Sequence, residues 1–326
     1  MTVPARDPLR IAVAGAGAFG REHLDRLTAR NDVRVVGIAD PDPVALAHAR
    51  QRYGVACCLA DPLQMLNETD AQAVVVATPA DSHIGIVLHA LKRNICILLE
   101  KPVAPSTALA AKLVSAQRSS QAFIIPGHVL RFSADHQKLV EIAQSGQIGK
   151  ILYVNSRRYR DDSHAQRYAD VDPVLMTMIH DIDLALWIAQ SSFRSARAYR
   201  SADSGFRSMT LANATTASGI FCELRTAWTF ANGELPPDRL EVVGDKGSIE
   251  LDAGHMLNLY AQGGRNQIPL TGGDDPLHNE HDHFLSCVAD RTLWPALTLS
   301  DAVAGLKLAD AILQSLQLNR EVNTKA

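Results

Sequence analysis

Two side chains of this 326-residue chain are suited to moving a proton near neutral pH. Lys101 ends the segment LLEK, and His180 lies in the run LMTMIHDIDLALW. Histidine titrates close to neutrality, and a lysine does so when burial or a nearby positive charge lowers its pKa. Lys101 and His180 are therefore candidates for a catalytic acid–base pair. A solvated lysine and a packed core histidine are the alternative interpretations.

The segment GAGAFG, which begins at Gly15, predicts a site for a dinucleotide. It directly follows a predicted strand and opens a predicted helix, which is the context that a G-x-G-x-x-G fingerprint requires. Gly15 would allow a tight turn, Gly17 would let the backbone approach a pyrophosphate, and Gly20 would let the helix pack on the strand. Free N–H groups and the helix dipole favour an anion at a helix start, so we expect the phosphates there. The predicted cofactor contacts of this loop are Gly15, Gly17, Ala18, Phe19 and Gly20.

The cofactor is predicted to be NAD rather than NADP. Asp40 ends the next predicted strand, about 20 residues after the glycine motif, where an acidic side chain binds ribose hydroxyls. Its negative charge would repel a 2′-phosphate, and the PDPVALA that follows holds no Arg or Lys to bind one. A glycine turn followed by an unrelated aspartate is the alternative interpretation.

Composition predicts a soluble globular protein with two domains. Hydrophobic residues make up 47% and charged residues 21% of the chain, and the net charge is −3 without a run of one sign. This balance argues against a nucleic-acid or anionic-membrane surface as the partner. The start of the chain has no apolar signal core and the five cysteines form no CxxC pair, so we expect reduced thiols and a cytoplasmic location.

Two patterns of secondary structure divide the chain. Up to residue 126, continuous apolar runs alternate with helical segments, which predicts a parallel sheet covered on both faces. From residue 127, half-polar strands and short turns predict an antiparallel sheet, with helices at about 134–145, 173–189, 276–289 and 299–317. We therefore predict an α/β protein. Its domains would be an N-terminal Rossmann domain (1–126) plus a C-terminal α/β domain with a large mostly antiparallel sheet (127–326).

The order of several motifs resembles that of the Gfo/Idh/MocA oxidoreductase family. Besides GAGAFG and Asp40, these motifs are ATPADSH at 77–83, EKP at 100–102, GHVLRF at 127–132, the helix with HDID, and PALTLSDAVAGLKLADAILQS at 295–315. The resemblance implies NAD(P)-dependent oxidation or reduction of a sugar, polyol, inositol or related carbonyl compound. It also implies a homodimer or homotetramer that associates through one face of the second sheet.

The resemblance implies roles for residues at two predicted strand ends. The family's lysine in EKP contacts the reacting oxygen, which implies that role for Lys101, with Glu100 beside the cofactor. A cis peptide bond after Lys101 would also be in character for the family. Thr78 and Pro79 resemble residues that line the nicotinamide and its ribose. For His83, a packing or capping role is as compatible with the pattern as cofactor contact.

His180 is predicted to lie off the core stripe of its helix. At about 100° per residue, that apolar stripe comprises Leu175, Met178, Ile179, Ile182 and Leu186. His180 shares a different face, which also carries Met176, Asp183 and Trp187. Together with the resemblance, this position predicts that His180 is the general acid or base at the substrate hydroxyl.

Met176 departs from the family, which often has an aspartate one turn before this histidine. Three interpretations follow. The substrate differs and Lys101 and His180 suffice; or another carboxylate, Asp172 or Asp183, takes the place of the aspartate; or turnover is lost. In the last case the protein would be a non-catalytic binding or regulatory protein that senses a dinucleotide or a sugar derivative.

Other polar side chains are candidates for substrate contact, whereas no metal is expected. Arg131 begins the second predicted domain and would face the cleft. Along the predicted strand 151–160, one face carries Arg158 and Arg160 and the other carries Arg157 and Tyr159, and either face could point at the cleft. This density of arginine would suit an anionic or polyhydroxylated substrate, with a solvated sheet face or a subunit contact as the alternative interpretation. The run HNEHDHF at 278–284 has no HExxH or comparable zinc spacing, so we interpret it as a polar helix start near the cleft. The predicted substrate is a small carbohydrate-like molecule. Its predicted contacts are Lys101, Arg131, Met176 and His180.

Overall fold

The structure is a computed structural model, and it describes residues 7–201, 208–231, 235–252, 256–270, 275–293 and 297–324. The chain forms two compact units. The first comprises Met1–Gly127 and Leu277–Ser300, and the second comprises His128–Pro276 and Asp301–Ala326. The first two residues of the motif at 295–315 lie outside the described residues. Within the described ranges, no helix is long and apolar enough to cross a bilayer.

The first unit is built on a sheet of six parallel strands, in the order β3-β2-β1-β4-β5-β6. The strands are β1 (Leu9–Ala14), β2 (Val33–Ala39), β3 (Cys57–Leu59), β4 (Ala73–Val76), β5 (Cys96–Glu100) and β6 (Ile124–Gly127). The helices between them are α1 (Ala18–Thr28), α2 (Pro43–Tyr53), α3 (Pro62–Glu68), α4 (Ala80–Lys92) and α5 (Thr107–Arg118). The strand order reverses between β1 and β4. In doubly wound sheets, ligands bind outside the carboxyl ends of the strands at such a point.

The composition of the strands explains this layered arrangement. Every residue of β4 (AVVV) and β5 (CILLE) is buried, as expected for strands that are covered by helices on both faces. Sequence patterns did not predict β3 and α3 as separate elements. They have 3 and 7 residues, which is too short for a clear hydrophobic period.

The second unit is built on a larger sheet, in the order β14-β13-β12-β11-β7-β10-β9-β8-β15. Its strands are β7 (Ile151–Asp161), β8 (Phe193–Arg200), β9 (Met209–Thr216), β10 (Phe221–Phe230), β11 (Arg239–Gly244), β12 (Gly247–Asp252), β13 (Met256–Ala261), β14 (Gly264–Pro269) and β15 (Val322–Asn323). Among the described strand pairs of this second sheet, only β7 and β10 run parallel. The predicted fold class, with a mostly antiparallel second sheet, is therefore confirmed.

The remaining helices are α6 (Ala134–Gln144), α7 (Asp162–Arg167), α8 (Ile179–Ala189), α9 (Pro276–Asp290) and α10 (Leu299–Leu318), with a 3₁₀ turn at Val129–Phe132. Helix α8 packs on β7 and β10. There the fully buried Trp228 donates a hydrogen bond from Nε1 to Thr177 Oγ1 over 2.9 Å. This contact fixes the turn that leads into the helix of His180.

One predicted helix differs from its prediction in geometry. The segment 173–189 was expected to be a regular α-helix, but Val174–Met178 forms a π-helical turn before α8 begins at Ile179. A π turn has one residue more than an α turn, so it shifts the side-chain phase on its N-terminal side. The buried stripe consequently includes Val174, whereas Leu175 is only half-buried.

The predicted division into domains needs one correction. The sequence predicts a second domain over 127–326, whereas Leu277–Ser300 belongs to the first unit. Helix α9 supplies most of this segment and buries Glu280 and His281 completely. His281 contacts His23 of α1, which shows why the segment packs there.

Candidate active site

The glycine loop between β1 and α1 leaves a helix start open for an anion. Gly15 has a φ of +100°, and a Cβ at Gly15 or Gly20 would collide with backbone. A Cβ at Gly17 would meet nothing within 4 Å, and Gly17, Ala18 and Phe19 are all exposed. Gly17 is also the N-cap of α1 and offers no side-chain cap. The loop therefore fits the phosphates of a dinucleotide, which this exposed helix start would bind.

Asp40 lies at the rim of the same loop. Its Oδ2 accepts a hydrogen bond from the Ala16 N–H over 2.6 Å, and its Oδ1 accepts one from the Asp42 N–H over 2.8 Å. A carboxylate has about four acceptor positions, so the half-buried Asp40 can also accept hydrogen bonds from hydroxyl groups. Its position and remaining capacity fit a contact with a ribose.

The loop between β4 and α4 holds Thr78 and Pro79 at the carboxyl edge of the sheet, half-buried and exposed respectively. His83 lies beneath them, fully buried, and its Nε2–H donates to the Thr78 carbonyl oxygen over 2.8 Å. Burial lowers the pKa of His83, which keeps the ring neutral. The predicted cofactor contact of His83 is thus replaced by a packing role that supports the loop.

Lys101 follows β5 directly, at the same edge of the sheet as the glycine loop. It is half-buried, and its peptide bond to Pro102 is cis, as the family resemblance implied. The preceding Glu100 is only 5% exposed, and its Oε2 accepts a hydrogen bond from the Lys101 N–H over 3.2 Å. Because Glu100 points into the protein, its predicted cofactor contact is corrected to support of the Lys101 turn.

A buried cluster of polar groups surrounds Glu100, and sequence patterns did not predict it. The Nε2 atom of His23 lies 3.1 Å from Glu100 Oε1, and its Nδ1 lies 2.8 Å from His281 Nε2. Glu280, next to His281 on α9, is also fully buried and interacts electrostatically with Glu100. We call these four residues the Glu100 cluster. It lies directly behind the candidate catalytic lysine.

The segment HNEHDHF is therefore only partly a polar helix start. His278 and Asp282 form an exposed pair 3.6 Å apart, as its polarity suggests. Glu280 and His281 instead continue a buried stripe through Leu277 and Phe284, at the spacing of a helix face. That spacing was the available signal for their burial. Among the described residues, no three His, Cys, Asp or Glu side chains are grouped to hold a metal ion.

His180 lies in the first turn of α8, in the second unit. It is half-buried, as are Met176 and Trp187 of its predicted face, whereas Asp183, which was predicted on the same face, is buried. The two aspartates near it in sequence, Asp181 and Asp183, are only 2% exposed and point elsewhere. His180 is thus more accessible than its neighbours, as a group that transfers protons to a substrate must be. Lys101 belongs to the first unit and His180 to the second, and their approach to one oxygen stays a prediction.

The carboxylates proposed to replace the missing aspartate already have partners. Asp172 forms two hydrogen bonds with the Arg200 guanidinium, at 2.7 and 2.9 Å, and accepts a third from the Val174 N–H. Asp183 is held by both Nε and Nη2 of Arg131, each over 2.8 Å. These pairings disfavour the interpretation in which Asp172 or Asp183 takes the role of the family aspartate.

Arg131 needs a corresponding correction. It was predicted to bind substrate, but it is 7% exposed and bidentate to Asp183. Its guanidinium carbon also lies 5.2 Å from the centre of the Trp187 ring, a cation–π distance. Arg131 therefore fixes α8 from behind and stabilises the helix that carries His180.

Arg158 and Arg160 of β7 likewise bind aspartates, which balance their charge. Arg158 is bidentate to Asp181, at 3.0 and 3.1 Å, and its Nη1 donates to Asp238 over 2.6 Å. Arg160 binds the same Asp238 at 2.9 and 3.1 Å. Two positive and two negative charges cancel, so these arginines do not form a site that selects an anionic substrate.

In a comparison with known proteins, two parts of the chain match two domain models of one family. Residues 9–128 match the model described as the oxidoreductase family, NAD-binding Rossmann fold, and residues 136–250 match the GFO/IDH/MocA C-terminal domain. An inositol 2-dehydrogenase of Burkholderia cenocepacia is 27% identical over 321 residues, which cover 95% of this chain and 94% of that protein.

Two solved structures share the fold over nearly all of this chain. Myo-inositol 2-dehydrogenase from Lactobacillus plantarum has a TM-score of 0.86 at 20% identity, over 98% of this chain and 100% of that one. Scyllo-inositol dehydrogenase from Lactobacillus casei, solved with NAD(H) and scyllo-inositol, has a TM-score of 0.84 at 17% identity, over 98% of this chain and 100% of that one. With its glycine loop, Asp40 and two matched domains, this chain belongs to the Gfo/Idh/MocA family and is an NAD(P)-dependent oxidoreductase.

Proposed function

We propose that this protein is a dehydrogenase that uses NAD and oxidises or reduces an inositol, another polyol or a related sugar. Lys101 and His180 act at the reacting oxygen. The observation that carries this proposal is the position of Lys101 after β5, at the sheet edge that also holds the open glycine loop. Relatives that act on inositol match over almost the whole chain and support the substrate class.

The proposed chemistry divides between the cofactor and two side chains. When bound, NAD⁺ would supply the hydride acceptor for the substrate carbon. The Lys101 ammonium donates a hydrogen bond to the substrate hydroxyl and orients it. His180 removes the hydroxyl proton during oxidation and returns it during reduction.

The charges around His180 favour an uncharged polyhydroxylated substrate. Asp172, Asp183 and Asp181 each face an arginine, so the described residues leave little net charge beside the helix. A sugar acid would need a cation besides Lys101 to balance its charge, and Arg131, Arg158 and Arg160 are already paired with aspartates. Inositols and neutral polyols are therefore preferred over sugar acids.

NAD is preferred over NADP because of Asp40. Its carboxylate accepts hydrogen bonds from two backbone N–H groups and can accept two more from the ribose hydroxyls. A 2′-phosphate would place up to two negative charges beside it, and such like charges repel. We expect the ratio of kcat/KM for NAD⁺ to that for NADP⁺ to be well above one.

The first test measures reduction of NAD⁺ and NADP⁺ with a panel of inositols, neutral sugars, polyols and sugar acids, after calorimetric measurement of cofactor binding. Turnover with a neutral polyol and NAD⁺ is the expected result. Tight binding of NAD⁺ without turnover across the panel would contradict the dehydrogenase proposal.

Lys101→Met tests the assignment of the lysine. Removal of a group that orients the reacting hydroxyl should lower kcat by about 100- to 10,000-fold, while the Kd of NAD⁺ changes little. Lys92→Met, at an exposed position in the last turn of α4, serves as the matched control and should retain full turnover. Normal turnover of Lys101→Met would refute its catalytic role.

Association through the outer face of the second sheet is also part of the proposal. Tyr153 and Phe221 stack there with ring centres 5.8 Å apart, and Phe221 is 42% exposed. An exposed apolar patch on a sheet favours burial against a second copy. Light scattering should give the mass of a dimer or tetramer, and Phe221→Asp should reduce it. A monomeric wild-type protein would exclude this part of the proposal.

A further inference from the structure

The Glu100 cluster holds two acids and two histidines within the first unit, and the proposed chemistry uses none of them directly. His23, Glu280 and His281 are fully inaccessible to solvent, and Glu100 is 5% exposed. The Phe19 and His23 rings are perpendicular to each other, with ring centres 5.1 Å apart. Buried ionisable groups are costly unless they are paired, so this arrangement calls for a physical explanation.

The hydrogen bonds of the cluster run in one direction, with each histidine donating toward Glu100. The Glu100 carboxylate can only accept, so His23 Nε2–H is the donor in their 3.1 Å contact. In the neutral ring, His23 Nδ1 is then an acceptor, and His281 Nε2–H donates to it over 2.8 Å. Burial and the neighbouring His23 lower the pKa of His281 to about 2, which keeps this second ring neutral. Two neutral histidines thus form a chain of donors that ends on Glu100.

The two acids differ in what surrounds their oxygens. Glu100 receives hydrogen bonds from His23 and from the Lys101 backbone N–H. Neither oxygen of Glu280 has a hydrogen-bond partner among the described residues. The negative charge is therefore stabilised on Glu100, and Glu280 keeps its proton. Burial first, and then the charge of Glu100, raise the pKa of Glu280 well above its usual value.

Packing leaves the Glu100 carboxylate little room to move. Gly127 pairs with Glu100 across β5 and β6, and a Cβ at Gly127 would lie 2.7 Å from Glu100 Oε1. The carboxylate is confined between this glycine and His23, with the Lys101 backbone on its other oxygen. Displacing either partner would move the turn on which Lys101 lies.

We propose that His281 and His23 are positioning residues for Lys101, and that a neutral Glu280 leaves Glu100 as the single negative charge of the cluster. His281 holds the His23 ring through Nδ1, His23 holds the Glu100 carboxylate through Nε2–H, and Glu100 holds the Lys101 turn through its backbone N–H. The role of Lys101 in hydride transfer rests on the proposed function, whereas the order and charge of the cluster do not.

The experiment compares His281→Gln with His281→Leu. A glutamine amide nitrogen can replace Nε2 as donor to His23, whereas leucine cannot. His278→Leu, at an exposed position one turn earlier on α9, is the control. Nitrogen NMR of the histidine rings should report His23 in the Nε2–H tautomer in wild type and in both variants, because Glu100 accepts from Nε2–H in each. The His23 Nδ1 resonance should stay at its wild-type position in His281→Gln and move in His281→Leu, where Nδ1 has lost its donor.

Two further measurements follow Lys101 itself. Carbon NMR of labelled lysine, with Lys101→Met for assignment, gives its titration without any need for turnover. We expect this titration to shift in His281→Leu and to stay at the wild-type position in His281→Gln and His278→Leu. With a competent substrate, kcat of His281→Leu should fall by about tenfold to 100-fold with little change in the Kd of NAD⁺.

The outcomes separate this inference from the proposed function. If no substrate is turned over but the tautomer and the Lys101 titration behave as expected, the dehydrogenase proposal fails and the positioning role stands. A cationic His23, an Nδ1–H tautomer in wild type, or an unchanged Lys101 titration in folded His281→Leu would overturn the inference.

Glu280→Gln tests the charge assignment. The glutamine amide carries no charge, like the protonated acid that it replaces, so kcat and the His23 tautomer should stay close to wild type. A loss of kcat comparable to that of His281→Leu would mean that an ionised Glu280 is needed and would overturn the assignment.

Discussion

At the scale of single residues, this site is defined by charges that cancel and by one carboxylate that is missing. The aspartates near His180 are occupied by arginines, and Met176 stands where a carboxylate often lies in the family. A thioether neither accepts strong hydrogen bonds nor stabilises an imidazolium. We infer that His180 works without a carboxylate from the preceding turn and that Met176 offers the substrate an apolar contact.

Met176→Asp should move the pH dependence of oxidation. A carboxylate within one helical turn of His180 favours its charged form and raises its pKa, so the base is neutral only at higher pH. The acidic limb of the kcat/KM profile should shift upward by about 0.5–1.5 pH units. Met176→Leu is the matched control and should leave the limb in place. An unshifted limb in Met176→Asp would show that the two side chains are not coupled.

Gly127→Ala should disturb the Glu100 cluster from the opposite side. The added methyl would lie 2.7 Å from Glu100 Oε1, so the carboxylate must move away from His23 or the strand must shift. Overpacking of this kind costs about 1–3 kcal/mol. We expect a lower free energy of unfolding in urea and a reduced kcat.

Gly85→Ala is the control for that substitution. Gly85 lies within α4, and a Cβ there would meet nothing within 4 Å. An alanine in a helix should therefore increase stability by about 0.5–1 kcal/mol, with kcat unchanged. Equal effects of the two substitutions would contradict the steric explanation.

At the scale of elements, α9 and the π turn before α8 are the two features that shape the site. Helix α9 returns to the first unit and buries Glu280 and His281 behind the Lys101 turn. The π turn at Val174–Met178 lies directly before the first turn of α8, which carries His180, and such turns are frequent at functional sites. Helix α9 thus supplies two groups of the Glu100 cluster, and the π turn leads directly into the turn that carries His180.

Glu280→Gln should raise the free energy of unfolding of the protein, and the size of this gain should depend on pH. A buried acid with a raised pKa is protonated in both states below its unfolded value of 4.5, so it carries no penalty there. As pH rises above 4.5, only the unfolded state releases the proton, and stability falls by about 1.4 kcal/mol per pH unit up to the folded pKa.

The measurement is the free energy of unfolding of wild type and Glu280→Gln in urea, at pH 5 and pH 8. The variant should gain stability relative to wild type at the higher pH and gain much less at the lower. Glu22→Gln, an exposed position on α1, should change stability by less than about 0.5 kcal/mol at both. A gain that does not depend on pH would contradict a protonated Glu280.

At the scale of the whole molecule, buried titratable groups set how stability depends on pH. His83 and His281 are fully buried, and burial lowers the pKa of both. Their contribution is complete above the unfolded value of 6.5 and is lost as pH falls, because only the unfolded state then takes up protons. Glu280 acts in the opposite direction.

Between pH 6.5 and 4.5 the buried histidines outweigh the buried acids. Burial also lowers the pKa of His136, to about 3, and raises that of Asp181 as it does that of Glu280. While their folded forms stay neutral, His83, His136 and His281 together lose up to about 4.2 kcal/mol of stability per pH unit on acidification, and the two acids return at most about 2.8 kcal/mol. We therefore expect stability to decrease from pH 6.5 to 5, with net proton uptake on unfolding. Urea midpoints should show this decrease, and His281→Gln should make it shallower. A stability that rises on acidification would contradict the burial of neutral histidines.

The sequence by itself determined the features that depend on local patterns. Continuous aliphatic strands predicted the parallel sheet, and half-polar strands predicted the antiparallel one, because side-chain period and burial are linked within each element. The glycine loop, Asp40 and Lys101 after β5 were predictable for the same reason, since each is defined by its place at a strand end.

Only the tertiary structure decided which distant groups meet. Arg131 with Asp183, Arg158 with Asp181 and His23 with His281 join residues that are 52, 23 and 258 positions apart. A sequence pattern gives the polarity of each residue but not its partner, because pairing depends on how the elements pack. The same reason explains two incorrect predictions, which are the substrate contact of Arg131 and the place of Glu280 in a polar helix start.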